Sequence, residues 1–209
     1  MPGPILRQLD LPNGLTLAGL FLAFFAVVFS LHQRFEAAVL CLLWAGVIDL
    51  FDGFLAHRSR RTPLQAAAGK ELDSLVDLCS FGLAPVLFAY AYGLRDALSV
   101  GVLLLYLTIN ALRLAYYNHA GLTAAHGSDY YTGLPVTYAA LFVPLGFTCS
   151  LFATPATTRM VLIGLFLILT AAMASSLPIR KLRGIWYGVF SLGALVLTAV
   201  YLRAAVTTW

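Results

Sequence analysis

Four aspartates carry most of the chemistry available to this chain: Asp49 and Asp52, three residues apart, and Asp73 and Asp77, four apart, each pair set in or beside an apolar stretch. A carboxylate in hydrocarbon costs ~2.5–3.5 kcal/mol at a helix centre, so such residues are kept for a purpose and need a partner. Helical spacing puts Asp49 and Asp52 on one face, with Gly53 and Ala56 continuing that stripe. Gly69, Asp73 and Asp77 share a second face by the same arithmetic. If the two helices pack antiparallel, all four carboxylates converge, and their mutual repulsion calls for positive charge. A hard divalent cation, Mg²⁺ or Mn²⁺, answers that need with oxygen ligands and bridges carboxylates to phosphates. Gly53, Ala56 and Gly69 leave room for a ligand or let the helices approach closely. Arg58, Arg60, Arg61 and Lys70 ring the mouth, where a phosphate would enter. The residues alone leave a second reading open, in which the aspartates form a proton or cation pathway through a transporter.

The elements that must position these groups are membrane helices. Of 209 residues, 61% are hydrophobic and only 11% charged, against roughly 25% charged in a soluble domain, and mean hydropathy is +0.88. About 20 apolar residues span a bilayer, and seven stretches qualify: about 13–31, 36–57, 71–94, 97–118, 134–154, 159–177 and 184–203. The expected fold is therefore an all-α, polytopic membrane bundle forming one domain over residues 1–209. Met1 to Leu11 lacks the basic region and cleavage site of a signal peptide, so the first span is expected to be retained. Pro85 and Pro144 fall inside spans, where a neighbouring helix can take up the freed carbonyl.

Residues 58–70 read as a basic loop and residues 118–133 as a polar one that includes His119 and His126. With the N-terminus inside, nine of the 13 lysines and arginines lie on the cytoplasmic side, among them Arg113, Arg180, Lys181 and Arg183. This bias places the aspartates at the cytoplasmic boundary. The net charge of +4 then reflects topology and anionic headgroups rather than nucleic acid. Cys41, Cys79 and Cys149 sit in apolar stretches and read as packing residues.

Residues 49–77 resemble the signature of the CDP-alcohol phosphotransferase family, D-x-x-D-G-x-x-A-R followed after a short spacer by G-x-x-x-D-x-x-x-D. Asp49, Asp52, Gly53, Ala56, Gly69, Asp73 and Asp77 match it. His57 departs, standing where the family has arginine, with Arg58 next to it. The flanks are similar to the bacterial membrane type of phosphatidylserine synthase. They run from Leu72 to Asp77, from Ser80 to Pro85, from Arg113 to Asn118 with Tyr116 at a position often held by arginine, and from Thr132 to Pro135.

The resemblance implies transfer of a phosphatidyl group from CDP-diacylglycerol to an alcohol with release of CMP. The subfamily stretches point to L-serine as the alcohol, while relatives use glycerol 3-phosphate or inositol phosphate. It also implies a Mg²⁺ or Mn²⁺ site held by Asp49, Asp52 and Asp73, with Asp77 sharing a metal and acting as general base. Gly53, Ala56 and Gly69 would line the cytidine side. Arg58 and Arg113 would face substrate charge, Arg113 binding donor phosphate or the serine carboxylate unless it simply pairs with the aspartates. The expected setting is the cell inner membrane, with the site facing the cytoplasm and the protein a homodimer.

Overall fold

The computed structural model describes residues 3, 5–120, 123–125, 128–180 and 184–207. His126, Lys181, Arg183 and the side chain of His57 lie outside what is described. The first rod is α1 (Leu11–Leu31), the second α2 (Phe35–Arg58). The third is continuous from Pro63 to Tyr92 and consists of α3 (Pro63–Asp77), a π-helical stretch Leu78–Leu83 and α4 (Ala84–Tyr92). Then come α5 (Ala97–Ala120), α6 (Ala139–Phe147) with 3₁₀ turns at both ends, α7 (Pro155–Ala174) and α8 (Ile185–Thr207). Among the described residues six rods are long and apolar enough to cross a membrane. The fold is a polytopic helical membrane bundle.

The fifth expected span, 134–154, is instead a shorter apolar helix, Val136–Leu151. It still runs from one end of the bundle to the other. Gly133, just before it, accepts a bond from Arg113 near the aspartates, while Phe147, the last residue of α6, packs against Phe35, Phe88 and Tyr92 at the opposite end. Pro144 inside α6 and the 3₁₀ ends shorten its regular part.

Two stretches expected as loops contain regular structure among the described residues. The basic loop expected over 58–70 shrinks to a few residues, because α3 begins at Pro63. Thr62 and Gln65 form a capping box, the Thr62 hydroxyl accepting from the Gln65 backbone at 3.2 Å and the Gln65 side chain accepting from the Thr62 backbone at 2.9 Å. Pro63 fits the first helical turn, where its missing N–H is not needed. The expected polar loop 118–133 carries β1 (Thr123–Ala125) and β2 (Ser128–Thr132), antiparallel, and β2 pairs antiparallel with β3 (Pro178–Arg180). This small sheet ties the α5–α6 connection to the α7–α8 connection. Gly133 (φ +73°) crosses the end of α7 so closely that a Cβ would lie 2.6 Å from the Met173 carbonyl and 2.7 Å from that of Ser175, so glycine is required there.

Small residues bring α1 onto α2: Ala23 and Ala26 are fully buried, and Gly19 faces Ile48. Pro85 follows the π stretch and cannot donate to the carbonyl of Phe81, four residues earlier. The Tyr106 hydroxyl of α5 donates to that carbonyl at 2.6 Å, which is the re-satisfaction by a neighbouring helix expected for a proline inside a span. Cys41, Cys79 and Cys149 are free and half-buried.

Candidate active site

Asp49 and Asp52 lie near the end of α2, Asp73 and Asp77 near the end of α3, and the short connection between these helices sets them side by side. One oxygen from each of Asp49, Asp52 and Asp73 lies within 4.8 Å of the others. Asp77 comes within side-chain hydrogen-bond reach of Asp49. Asp52 is buried at 5% exposure, and the other three are half-buried. All the donors are hard carboxylate oxygens, gathered at a spacing that one or two small divalent ions can span, so the residues fit Mg²⁺ or Mn²⁺.

Around this cluster the structure distributes the remaining expected residues unevenly. A Cβ built at Gly53 meets no atom within 4 Å, so the helix surface beside Asp52 is open. Ala56 is half-buried one turn further on. Arg58 is exposed and lies over the Phe54 ring at 4.4 Å. Gly69 is buried, and a Cβ there would fall on the Arg61 guanidinium and the Asn13 side chain. Arg113 is 8% exposed. Its Nη2 donates to the Gly133 carbonyl at 3.3 Å, its guanidinium lies 5.8 Å from the Tyr117 ring centre, and its Nε has no partner among the described residues. Asp77 is close enough to Arg113 to act on its charge. Asn118 anchors the end of α5 to α3, exchanging bonds with Ser74 at 2.8 and 3.0 Å and receiving the Lys70 ammonium on its carbonyl at 2.8 Å.

The site also draws on residues that helical phase did not single out. Thr16 of α1 donates to Asp52 Oδ2 at 2.6 Å inside the bundle; its only sequence signal is a hydroxyl one turn beyond the Asp10-Leu11-Pro12-Asn13 cap. Tyr131 of β2 stacks obliquely on Tyr117 at 5.4 Å. Its phenol is pushed above the usual tyrosine range, chiefly by burial and then by Tyr117 and Asp49, so it stays protonated and able to donate. Tyr131, Thr137, Tyr138, Trp186 and Tyr187 line an open cleft of about 80 Å³ that reaches Asp49 between α2 and α8. Its walls are half aromatic, with polar groups from Asp49, Thr137 and the tyrosines among them, a make-up that suits a small-molecule site.

Comparison with known proteins agrees with this geometry. The profile of CDP-alcohol phosphatidyltransferase matches residues 9–200. The chain belongs to that family. Among curated relatives, the CDP-diacylglycerol–serine O-phosphatidyltransferase of Mycobacterium tuberculosis is 32% identical over 63% of this chain and 46% of its own length. The enzyme of that name from Bacillus subtilis is 30% identical over 66% of this chain and 76% of its own. The archaetidylserine synthase of Methanothermobacter thermautotrophicus is 29% identical over 64% of this chain and 55% of its own. The chain thus spans about half the length of most of these relatives.

Proposed function

We propose that this member of the family transfers the phosphatidyl group of CDP-diacylglycerol to the hydroxyl of L-serine, releasing CMP, at the cytoplasmic face of the inner membrane. The observation that carries the reading is the convergence of Asp49, Asp52 and Asp73, with Asp77 against them, at one end of an apolar bundle. That location suits a donor whose acyl chains stay in lipid while its nucleotide is in water. Serine as acceptor is supported by the names of the bacterial relatives.

Asp49, Asp52 and Asp73 would hold Mg²⁺ or Mn²⁺, which when bound neutralises the pyrophosphate and the charge growing on the leaving CMP phosphate. The open surface at Gly53 and Ala56 receives the cytidine side of the donor. Arg113, buried and with no partner for its Nε among the described residues, takes the serine carboxylate and turns the hydroxyl toward Asp77. The serine oxygen forms its bond to the phosphorus of the phosphatidyl group as the bond from that phosphorus to the CMP oxygen breaks. CMP leaves with the electron pair, and the hydroxyl proton passes to Asp77 and then to water.

The deciding experiment supplies purified protein in lipid nanodiscs with CDP-diacylglycerol, Mn²⁺ and a panel of alcohols, and measures CMP. Serine-selective release, abolished by EDTA and restored by Mn²⁺, is the expected result. Selectivity for glycerol 3-phosphate or inositol phosphate overturns the acceptor. Cation flux in proteoliposomes without CMP overturns the transferase reading.

A further inference from the structure

Arg61 stands in the short link between α2 and α3, and charge bias alone accounts for it as for its neighbours Arg58, Arg60 and Lys70. Its side chain does more than mark the cytoplasmic side. Nε donates to Asp10 Oδ2 at 2.7 Å, with both side chains only 13% exposed, and Nη2 donates to the Gln65 carbonyl at 2.8 Å and to Asn13 Oδ1. Asn13 in turn is held by its own backbone N–H on Asp10 Oδ1 at 2.9 Å and by its amide on the Gln8 carbonyl at 2.8 Å. The guanidinium therefore ties together the first turn of α1, the link and the first turn of α3. It fits there because Gly69 has no side chain, since a methyl would occupy the same space. One turn beyond Asn13 on α1 comes Thr16, whose hydroxyl donates to Asp52 Oδ2, and Arg61 is also close enough to act on the charge of Asp52.

From this chain of contacts we infer that Arg61 is a positioning residue for the metal-facing carboxylates: through Asp10 and Asn13 it sets the depth and rotation of α1, so that Thr16 fixes the orientation of Asp52. Arg58, exposed over Phe54, makes no comparable link among the described residues. The planar fork of arginine is what the geometry uses, because three acceptors at the starts of two helices are reached at once. Gly69 accordingly acts by making room for this fork. The inference rests on the metal-dependent reading above only in that the carboxylate it positions is one of that site.

The test measures Mn²⁺-dependent thermal stabilisation of the full chain in nanodiscs, alongside CMP release. Groups that orient a metal ligand typically alter metal affinity by about 10–100-fold when removed, and Arg61→Gln and Thr16→Val should each raise the Mn²⁺ midpoint within that range. Arg61→Lys should recover part of the loss, and the Arg61→Gln/Thr16→Val double variant should be no worse than the poorer single one. Gly69→Ala, which crowds the guanidinium without touching a charge, should raise the midpoint as well and serves if Arg61→Gln does not fold. A lower melting temperature with an unchanged Mn²⁺ midpoint overturns the proposal, as does full additivity of the two single changes. Stabilisation of the wild type by Mn²⁺ without CMP release rejects the transferase reading, while the shifted midpoints still support the clamp; no stabilisation of the wild type by Mn²⁺ rejects the clamp.

Discussion

At the end of the bundle away from the aspartates, Phe35, Phe88, Tyr92, Phe147 and Tyr201 pack with ring centres 5.0–6.3 Å apart, mostly edge to face. At the aspartate end the same helices present Gly53, Ala56, Gly69 and four carboxylates, and order comes from Arg61, Asn13, Thr16 and Asn118 through directed hydrogen bonds. One end fills its volume and the other keeps space open. Edge-to-face rings contribute about 0.5–1.5 kcal/mol per pair beyond the area they bury, so the aromatic end anchors the bundle mainly by packing, with the Tyr201 hydroxyl donating to the Pro144 carbonyl at 2.6 Å. The aspartate end has ring contacts too, Phe54 with Tyr187 and Tyr117 with Tyr131, but leaves the surface at Gly53 open, where on the proposed reading a ring would take the nucleotide's place. Directional bonds place side chains there while leaving their faces free.

Substitutions can break this contrast. Asp77→Asn should lower CMP release by about 10²–10⁴-fold, the usual contribution of a general base, while CDP-diacylglycerol binding and melting temperature stay near wild type. Near-wild-type turnover would remove Asp77 from the chemistry. Phe147→Ala should do the reverse, costing roughly 3 kcal/mol through the cavity and lost dispersion contacts, with the serine KM unchanged. If the serine KM rose instead, the two ends would be coupled and the division drawn here would fail. Gly53→Leu should weaken nucleotide binding by about tenfold or more, the equivalent of 1–3 kcal/mol of crowding, measured by competition with CMP; unchanged affinity would move the nucleotide elsewhere. Tyr106→Phe, which removes the donor to the Phe81 carbonyl, should lower stability by about 1 kcal/mol in thermal unfolding and leave CMP release intact.

The spacing of the aspartates was readable because helical phase is local: three and four residues bring side chains to one face whatever else the bundle does. The rods were readable because lipid demands long apolar runs, and the one that came out short, Val136–Leu151, is protected at its ends by the sheet and by other helices. The early start of α3 was present in Thr62-Pro63-Leu64-Gln65 and was obscured by the basic residues just before it. Thr16 and Asn13 were not legible as site residues, and Arg61 only as a charge at the mouth, since their roles arise only when the start of α1 meets the α2–α3 link, some 50 positions along the chain. Tyr131 was hidden for the same reason. It reaches Asp49 only because β2 is folded back by its pairing with β3.

The π-helical stretch Leu78–Leu83 separates the two ends in one further way. A turn holding an extra residue delays everything after it by about 100° relative to an unbroken α-helix. The third rod therefore has two independent azimuths: one aims Asp73 and Asp77 at α2, the other aims Phe88 and Tyr92 at Phe147. Loss of one residue within Leu78–Leu83 would restore ordinary helical winding with both aims preserved, whereas the same loss between Asp73 and Asp77 would turn one carboxylate away from the other. The stretch is a phase joint that sets the azimuth of the packing end apart from that of the carboxylate end.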